Sequence, residues 1–146
     1  MRERTLVLIK PDGVRRGLIG EIISRIERKG LRIIGLKMLV LNKESAEEFY
    51  HMHRGKPFFD ELIKHITSGP VVAIAVEGDF AVTVIRNMVG ATSPYQAAPG
   101  TIRGDYGLSL TLNVVHASDN VENGLREIKL IFNSDELIQF DDKNSS

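Results

Sequence analysis

Apolar residues change their spacing several times along the chain, and each change marks an element. Residues 5–9 form a β-rich run that is apolar from 6 to 9, and Lys10 is pushed toward extended backbone because the ring of Pro11 crowds it. This predicts a strand ending at Lys10, with Pro11-Asp12-Gly13 as turn chemistry. Leu18, Ile19, Ile22, Ile23 and Ile26 recur at helical spacing, and Gly30 offers a left-handed stop. Over residues 31–41 the period falls to two, which predicts a strand with Ile34, Leu36, Met38 and Val40 on one face.

Asn42 or Ser45 can cap a helix in which Ala46, Phe49, Tyr50 and His53 share one side. A short helix after Gly55 and Pro57 puts Phe59, Ile63 and Ile66 on one stripe and leaves Phe58 and Leu62 as a second apolar pair. Residues 71–76 read as a third, buried strand. Asp79 caps the next helix, with Phe80, Val84 and Met88 inward and Thr83 and Arg86 on its polar face. Residues 90–107 are rich in glycine and proline, a connection longer than the usual ~4 to 6 residues and suspect as functional for that reason. Residues 110–116 form the fourth strand. Ser118 or Asp119 then caps a helix with Val121, Leu125, Ile128 and Phe132 as its stripe and Glu127 at its edge.

Two βαβ halves separated by a helical pair and followed by a helix predict an α+β, ferredoxin-like βαββαβ fold, a four-stranded antiparallel sheet covered by helices on one face. A flavodoxin-like parallel sheet is the alternative. At 146 residues the chain suits one domain. Residues 1–140 are assigned to it and 141–146 to a loosely held polar end.

Composition narrows the function classes. Nineteen basic residues balance nineteen acidic ones, so there is no net field to draw the chain to nucleic acid or an anionic membrane, and neither is an expected partner. No apolar run approaches the ~20 residues that span a bilayer, and the N-terminal run is too short for a signal peptide. A cytoplasmic protein is expected. The chain has no cysteine, which removes disulfides, thiolate nucleophiles and zinc ribbons.

Among candidate chemical groups, the glycines between 13 and 20 lack the Lys-[Ser/Thr] ending of a phosphate loop. The predicted strands carry no aromatics to stack RNA bases. His51 and His65 read as surface residues. His116 differs, because it ends an apolar strand and is followed at once by Ala117-Ser118-Asp119, a predicted helix start whose free N–H groups favour anions. Such an imidazole is poised for phosphoryl transfer, and the plainer alternative is a buried histidine satisfied by Ser118. Arg86, Thr92, Arg103 and Lys10 could surround a polyphosphate, and each singly also reads as a solvated surface group. Phe58 with Leu62 could clamp a base or serve as a core or subunit contact. Asn113 and His116 would face opposite sides of a regular strand, which predicts an irregularity there, with strained backbone at His116.

Lys10-Pro11-Asp12-Gly13, Gly90-Ala91-Thr92, the stretch from Ala97 to Asp105, and Asn113-Val114-Val115-His116-Ala117-Ser118-Asp119 together resemble the nucleoside diphosphate kinase family, from about residue 3 to about residue 140. The resemblance implies exchange of the terminal phosphate between nucleoside triphosphates, ATP among them, and diphosphates by a ping-pong route through a phosphohistidine at His116. It implies that Glu127 orients the imidazole with support from Ser118, that Arg86, Thr92 and Arg103 hold phosphates with His53 and Tyr50 close by, that Lys10 and Asn113 bind the sugar, and that Phe58 stacks on the base beside Leu62. It also implies Mg²⁺ arriving with the nucleotide and a homohexamer packed partly through residues 90–107, with a tetramer as the alternative. Ala117 stands where many relatives have Gly, and Asn120 where they have Ser. A nucleotide-binding module that has lost catalysis is the competing class.

Overall fold

The computed structural model describes residues 2–140, and the polar end expected at 141–146 lies outside the described residues. In chain order the elements are β1 (Arg2–Ile9), α1 (Pro11–Arg15), α2 (Ile19–Lys29), β2 (Arg32–Leu39), α3 (Lys43–Phe49), a 3₁₀ turn (His51–His53), α4 (Phe59–Ile66), β3 (Val71–Asp79), α5 (Ala81–Val89), α6 (Ile102–Tyr106), β4 (Val115–Ala117), α7 (Val121–Ile131) and a final 3₁₀ turn (Ser134–Glu136). The strands form one antiparallel sheet in the order β2-β3-β1-β4, which is the ferredoxin-like arrangement.

Helices cover both faces of this sheet, where the periodicity suggested one. Leu6, Leu8, Ala73 and Ala75 pack against α3, α4 and α7 through Phe49, Ile63, Ile66, Ile128 and Ile131. Val7, Ile9, Val72, Ile74 and Val76 pack on the other side against α2 and α5 through Ile22, Ile26, Ile85 and Val89. The two central strands are buried on both faces, and that is why residues 6–9 and 71–76 read as unbroken apolar runs.

Several local expectations shift. In β2 a one-residue irregularity between Ile33 and Gly35 breaks the alternation, so Ile34 is buried while Leu36 and Met38 are exposed near the sheet edge. Pro11-Asp12-Gly13 opens the short helix α1, with Pro at its first position, and is not a simple turn. The helix before Tyr50 stops there, and His53 arrives on a 3₁₀ turn. Phe80, in the left-handed region, precedes α5, whose inner face is Ala81, Val82, Ile85 and Val89; Glu3 Oε1 accepts from the Val82 N–H, so Asp79 is not the cap. Phe80 is exposed, Val84 is half-buried, and Met88 only flanks the core. Asn120 caps α7 by accepting from the Asn123 N–H, where Ser118 or Asp119 was expected. Its buried face is Gly124, Glu127, Ile128 and Ile131, while Val121 and Leu125 are exposed. Most of residues 110–116 is irregular, and β4 keeps three residues.

Helix α7 lies close on β1 at Gly124, where a Cβ would stand 2.9 Å from the Arg4 carbonyl oxygen and 3.2 Å from the Thr5 Cα. Helix propensity alone would make Gly124→Ala stabilising by about 1 kcal/mol. Overpacking reverses the sign, and urea unfolding should show a loss of about 1–3 kcal/mol.

Candidate active site

The register of β4 decides which face receives His116. Its partner on β1 is Leu8, so its ring enters the side lined by α3 and α7, while Val115 and Ala117 point to the α2 and α5 side. Phe49 meets the imidazole edge-on at 4.8 Å between ring centroids, and Tyr50 does so at 5.7 Å. His116 Nε2 donates to Glu127 Oε1 at 2.9 Å, and the Ser118 hydroxyl donates to the same oxygen at 2.7 Å. The Leu6 N–H in turn donates to Ser118 Oγ at 3.2 Å, which ties this chain of bonds to the central sheet.

Glu127 is buried, which opposes its ionisation, but the bonds from His116 and Ser118 outweigh burial and hold its carboxyl below the usual range. An ionised Glu127 can only accept, so Nε2 carries the ring proton and Nδ1 keeps its lone pair. The expectation that Glu127 lies at the edge of its helix is corrected here: it is 2% exposed, among the most buried large side chains. Ser118 serves Glu127, so the reading of His116 as a core histidine satisfied by Ser118 is set aside.

Asn113 and His116 are brought to one cleft by an abrupt reversal. Val115 N–H donates to the Asn113 carbonyl at 2.8 Å around Val114, whose φ is +76°. This is a γ-turn of the rare positive-φ kind, in a β-branched residue that avoids the left-handed region. Such strain costs about 1–3 kcal/mol. The irregularity was expected, but it falls at Val114 and not at His116.

Around this turn the cations gather. Lys10 Nζ donates to Thr111 O at 2.8 Å and Asn113 Oδ1 at 2.9 Å, and Asn113 Nδ2 donates to Thr92 O at 3.2 Å. Burial lowers the Lys10 pKa to about 8, with Asp12 opposing and Arg103 adding to the fall. Arg103 is buried as well, donating to Val115 O at 2.7 Å and Gly90 O at 3.2 Å while its Nε has no partner. Burial and the neighbouring Arg86 lower its pKa to about 10. Arg86 pairs with Asp119 at 2.9 Å. Thr92 is exposed on the same loop.

His53 stands 6.0 Å from the Tyr50 ring and 5.4 Å from the Phe58 ring. Burial and then Lys56, whose Nζ is 3.2 Å from His53 Nδ1, depress its pKa. Burial raises the Tyr50 phenol well above its ordinary value, so it stays neutral. Phe58 is 46% exposed, open to stack on a ring, while Leu62, one turn on, is partly packed into the core beneath.

These bonds, ring contacts and charges connect ten of the twelve candidate side chains, drawn from the end of β1, the α3–α4 segment, α5, α6, β4 and the segment through α7; Thr92 enters only through its carbonyl, and Leu62 packs on the core. Sequence reasoning missed Phe49 against the imidazole, Asp119 on Arg86, and the buried pair of His65 Nε2 and Asp12 Oδ1 at 3.0 Å. His65 is 9% exposed, contrary to the surface reading, because Asp12 from the segment after β1 meets its ring in the interior. A cavity of about 600 Å³ lined by Arg25, Arg28, Asn87 and Met88 lies on the α2 and α5 side and shares no residue with this cluster. Among the described residues no group of three or more His, Cys, Asp or Glu could hold a metal ion, and no helix is long and apolar enough to cross a membrane.

The family model for nucleoside diphosphate kinase matches residues 3–137. A nucleoside diphosphate kinase of Staphylothermus marinus is 65% identical over 138 residues, covering 94% of this chain and 98% of its own. One from Archaeoglobus fulgidus is 58% identical, covering 95% and 92%. A halophilic nucleoside diphosphate kinase of Halobacterium salinarum, solved in complex with CDP, superposes with a TM-score of 0.93 at 50% identity over 97% of this chain and 94% of that one. The Aquifex aeolicus nucleoside diphosphate kinase gives 0.91 at 40% identity, over 94% and 100%.

The Glu127 pKa is lower folded than unfolded, so its ionised form favours the fold. That contribution is fully present above the unfolded carboxyl pKa of about 4.3 and is lost as pH falls through the folded value. Urea unfolding from pH 7 to pH 3 should therefore show a steeper loss of stability below about pH 4 in the parent protein than in Glu127→Gln.

Proposed function

The chain belongs to the nucleoside diphosphate kinase family and is an enzyme of that type, and from this premise we propose that His116 Nδ1 is the atom that carries the phosphoryl group. The observation that supports this assignment is the 2.9 Å bond from Nε2 to Glu127, which leaves Nδ1 as the nitrogen with a free lone pair.

In the first half-reaction the Nδ1 lone pair forms a bond to the terminal phosphorus of a nucleoside triphosphate. The bond from that phosphorus to the bridging oxygen breaks, and the electron pair leaves on the diphosphate. Nε2 keeps its proton, and positive charge developing on the ring is met by the Glu127 carboxylate, itself fixed by Ser118. In the second half-reaction a terminal oxygen of another nucleoside diphosphate attacks the same phosphorus and restores the free imidazole. One site serves donor and acceptor in turn.

Arg86, Thr92 and Arg103 hold the phosphates in this reading. The buried guanidinium of Arg103 with its unpartnered Nε, beside a second arginine, supports it, since an incoming anion relieves both burial and repulsion. Arg86 exchanges Asp119 for phosphate. Tyr50, with His53 beside it, closes the cleft next to His116, Lys10 and Asn113 bind the sugar hydroxyls, and exposed Phe58 stacks on the base with Leu62 beneath. Stacking ignores base identity, so broad nucleotide tolerance follows.

The residues present suit Mg²⁺ carried by the nucleotide: Glu127 is committed to His116 and Ser118, and among the described residues no group of three or more His, Asp or Glu could hold the ion, so phosphate oxygens and water would supply its ligands. When bound, the ion neutralises charge on the transferring phosphates. Cytoplasmic location is proposed on the cysteine-free composition, which suits a reducing compartment. A homohexamer packed partly through the loop at 90–107 is the proposed assembly, supported by exposed Tyr95, Leu108 and Leu110 in and beside that loop. Light scattering should return six chains, and four would replace it by the tetramer.

Incubation with ATP and Mg²⁺ without acceptor should add one acid-labile phosphoryl group per chain, roughly 80 Da, which GDP discharges. His116→Ala should show no adduct while keeping its fold. Absence of the adduct in the parent protein would favour a binding module that has lost catalysis.

A further inference from the structure

Asp12 and His65 have no part in the transfer described above, although both are buried at 5% and 9% exposure. Asp12 Oδ2 accepts from the Val114 N–H at 3.0 Å, and Asp12 Oδ1 lies 3.0 Å from His65 Nε2. The Val114 carbonyl accepts from the Lys10 N–H at 2.8 Å, so both polar backbone groups of the strained residue are tied to residues 10–12. Gly13 completes the contact: a Cβ there would stand 2.9 Å from the Val114 oxygen and 3.1 Å from its Cγ1. Helix α1 is thus pressed directly onto the γ-turn.

A β-branched residue at φ +76° returns to extended backbone unless something prevents it. Extension would restore strand alternation and rotate His116 relative to Asn113. Asn113 has anchors of its own in Lys10 Nζ and Thr92 O, whereas Val114, which leads to His116, depends on Asp12 for its N–H. A buried carboxylate can serve as that anchor only if its second oxygen is also satisfied, and among the described contacts His65 supplies the bond. Burial opposes ionisation of Asp12, and the His65 bond, Lys10 and the Val114 N–H together outweigh it.

We propose that Asp12 and His65 are positioning residues for phosphoryl transfer, the His65–Asp12 pair clamping the Val114 turn and thereby fixing where His116 Nδ1 points. This rests on the assignment of His116 as the nucleophile. It gives the Lys10-Pro11-Asp12-Gly13 segment a second role besides presenting Lys10: Pro11 starts α1, Asp12 ties the turn and Gly13 admits it.

The test uses the whole assembled protein in three forms: unaltered, His65→Leu and His65→Gln. The single-turnover rate of phosphohistidine formation with ATP and Mg²⁺ is measured beside the dissociation constant for ADP. His65→Leu is expected to slow phosphorylation by roughly tenfold or more while ADP affinity stays within about threefold, because a misaimed nucleophile affects reaction more than binding. His65→Gln, whose amide can donate to Asp12, is expected to recover the rate to within about threefold. A purely structural His65 would change melting temperature alone, so an unaltered rate in folded His65→Leu overturns the proposal, as does an equal loss in rate and affinity. If His65→Leu does not fold, hydrogen exchange on the unaltered protein decides: the Val114 N–H must exchange among the slow amides although it has no strand partner, and fast exchange overturns the clamp. Absence of phosphohistidine in the unaltered protein would instead overturn the assignment of His116.

Discussion

A strand presents alternate residues to opposite faces, and Asn113 and His116 are three apart, so the cleft can exist only if the backbone between them breaks that rule. The γ-turn at Val114 is the break. It lets Asn113 meet Lys10 at the end of β1 while His116 turns toward Glu127 on α7. Strain of this kind persists only where surrounding groups over-determine it, and here the Val114 N–H, its carbonyl and the space beside it are all occupied by the segment that follows β1. The shortness of β4 follows from the same turn, since three residues remain for pairing with β1 before Ser118 leaves toward the α7 cap.

The second layer of helices is what makes this geometry a site. A ferredoxin-like sheet with only α2 and α5 would leave the His116 side of β4 open. Helices α3, α4 and α7 cover it, and they bring Phe49, Tyr50 and Glu127 around the imidazole. Close approach at Gly124 seats α7 on β1 one helical turn before Glu127, so the carboxylate that orients the ring is placed by the packing of two backbones. Arg126 adds a tie within this layer by donating to the Glu48 and Phe49 carbonyls at the end of α3.

Electrostatically the cleft suits the polyphosphate that the proposed transfer brings to it. Lys10 and Arg103 are buried cations, and burial lowers both pKa values because the charged form has lost water. Arg103 is satisfied mainly by backbone carbonyls, and Arg86 is borrowed by Asp119. Fixed donors with incomplete partners lose little by reorganising when a polyphosphate enters, which is the physical content of preorganisation.

How much of this was legible in the residues depends on range. Local chemistry was: the strand ending at Lys10, the left-handed Gly30 after α2, a cap at Asn42 or Ser45, which the structure resolves as Asn42, and the turn-breaking need between Asn113 and His116 all follow from spacing and backbone preference. The motifs around Lys10, Arg103 and His116 pointed to the family before any contact was known. Tertiary packing decided the rest. The extra residue in β2 reversed the faces of Leu36 and Met38, and no periodicity argument sees an insertion into a ladder. The inner face of α7 was set by β1, which admits Gly124 and Glu127 where apolar spacing had favoured Val121 and Leu125. His65 looked like a surface group near a helix end, and only the approach of Asp12, 53 positions away in the chain, gave it a partner and a reason to be buried. Sequence determines which backbone states and polar groups are available, and long-range contact determines which of them are satisfied, because a buried charge or a strained turn persists only where distant residues complete it.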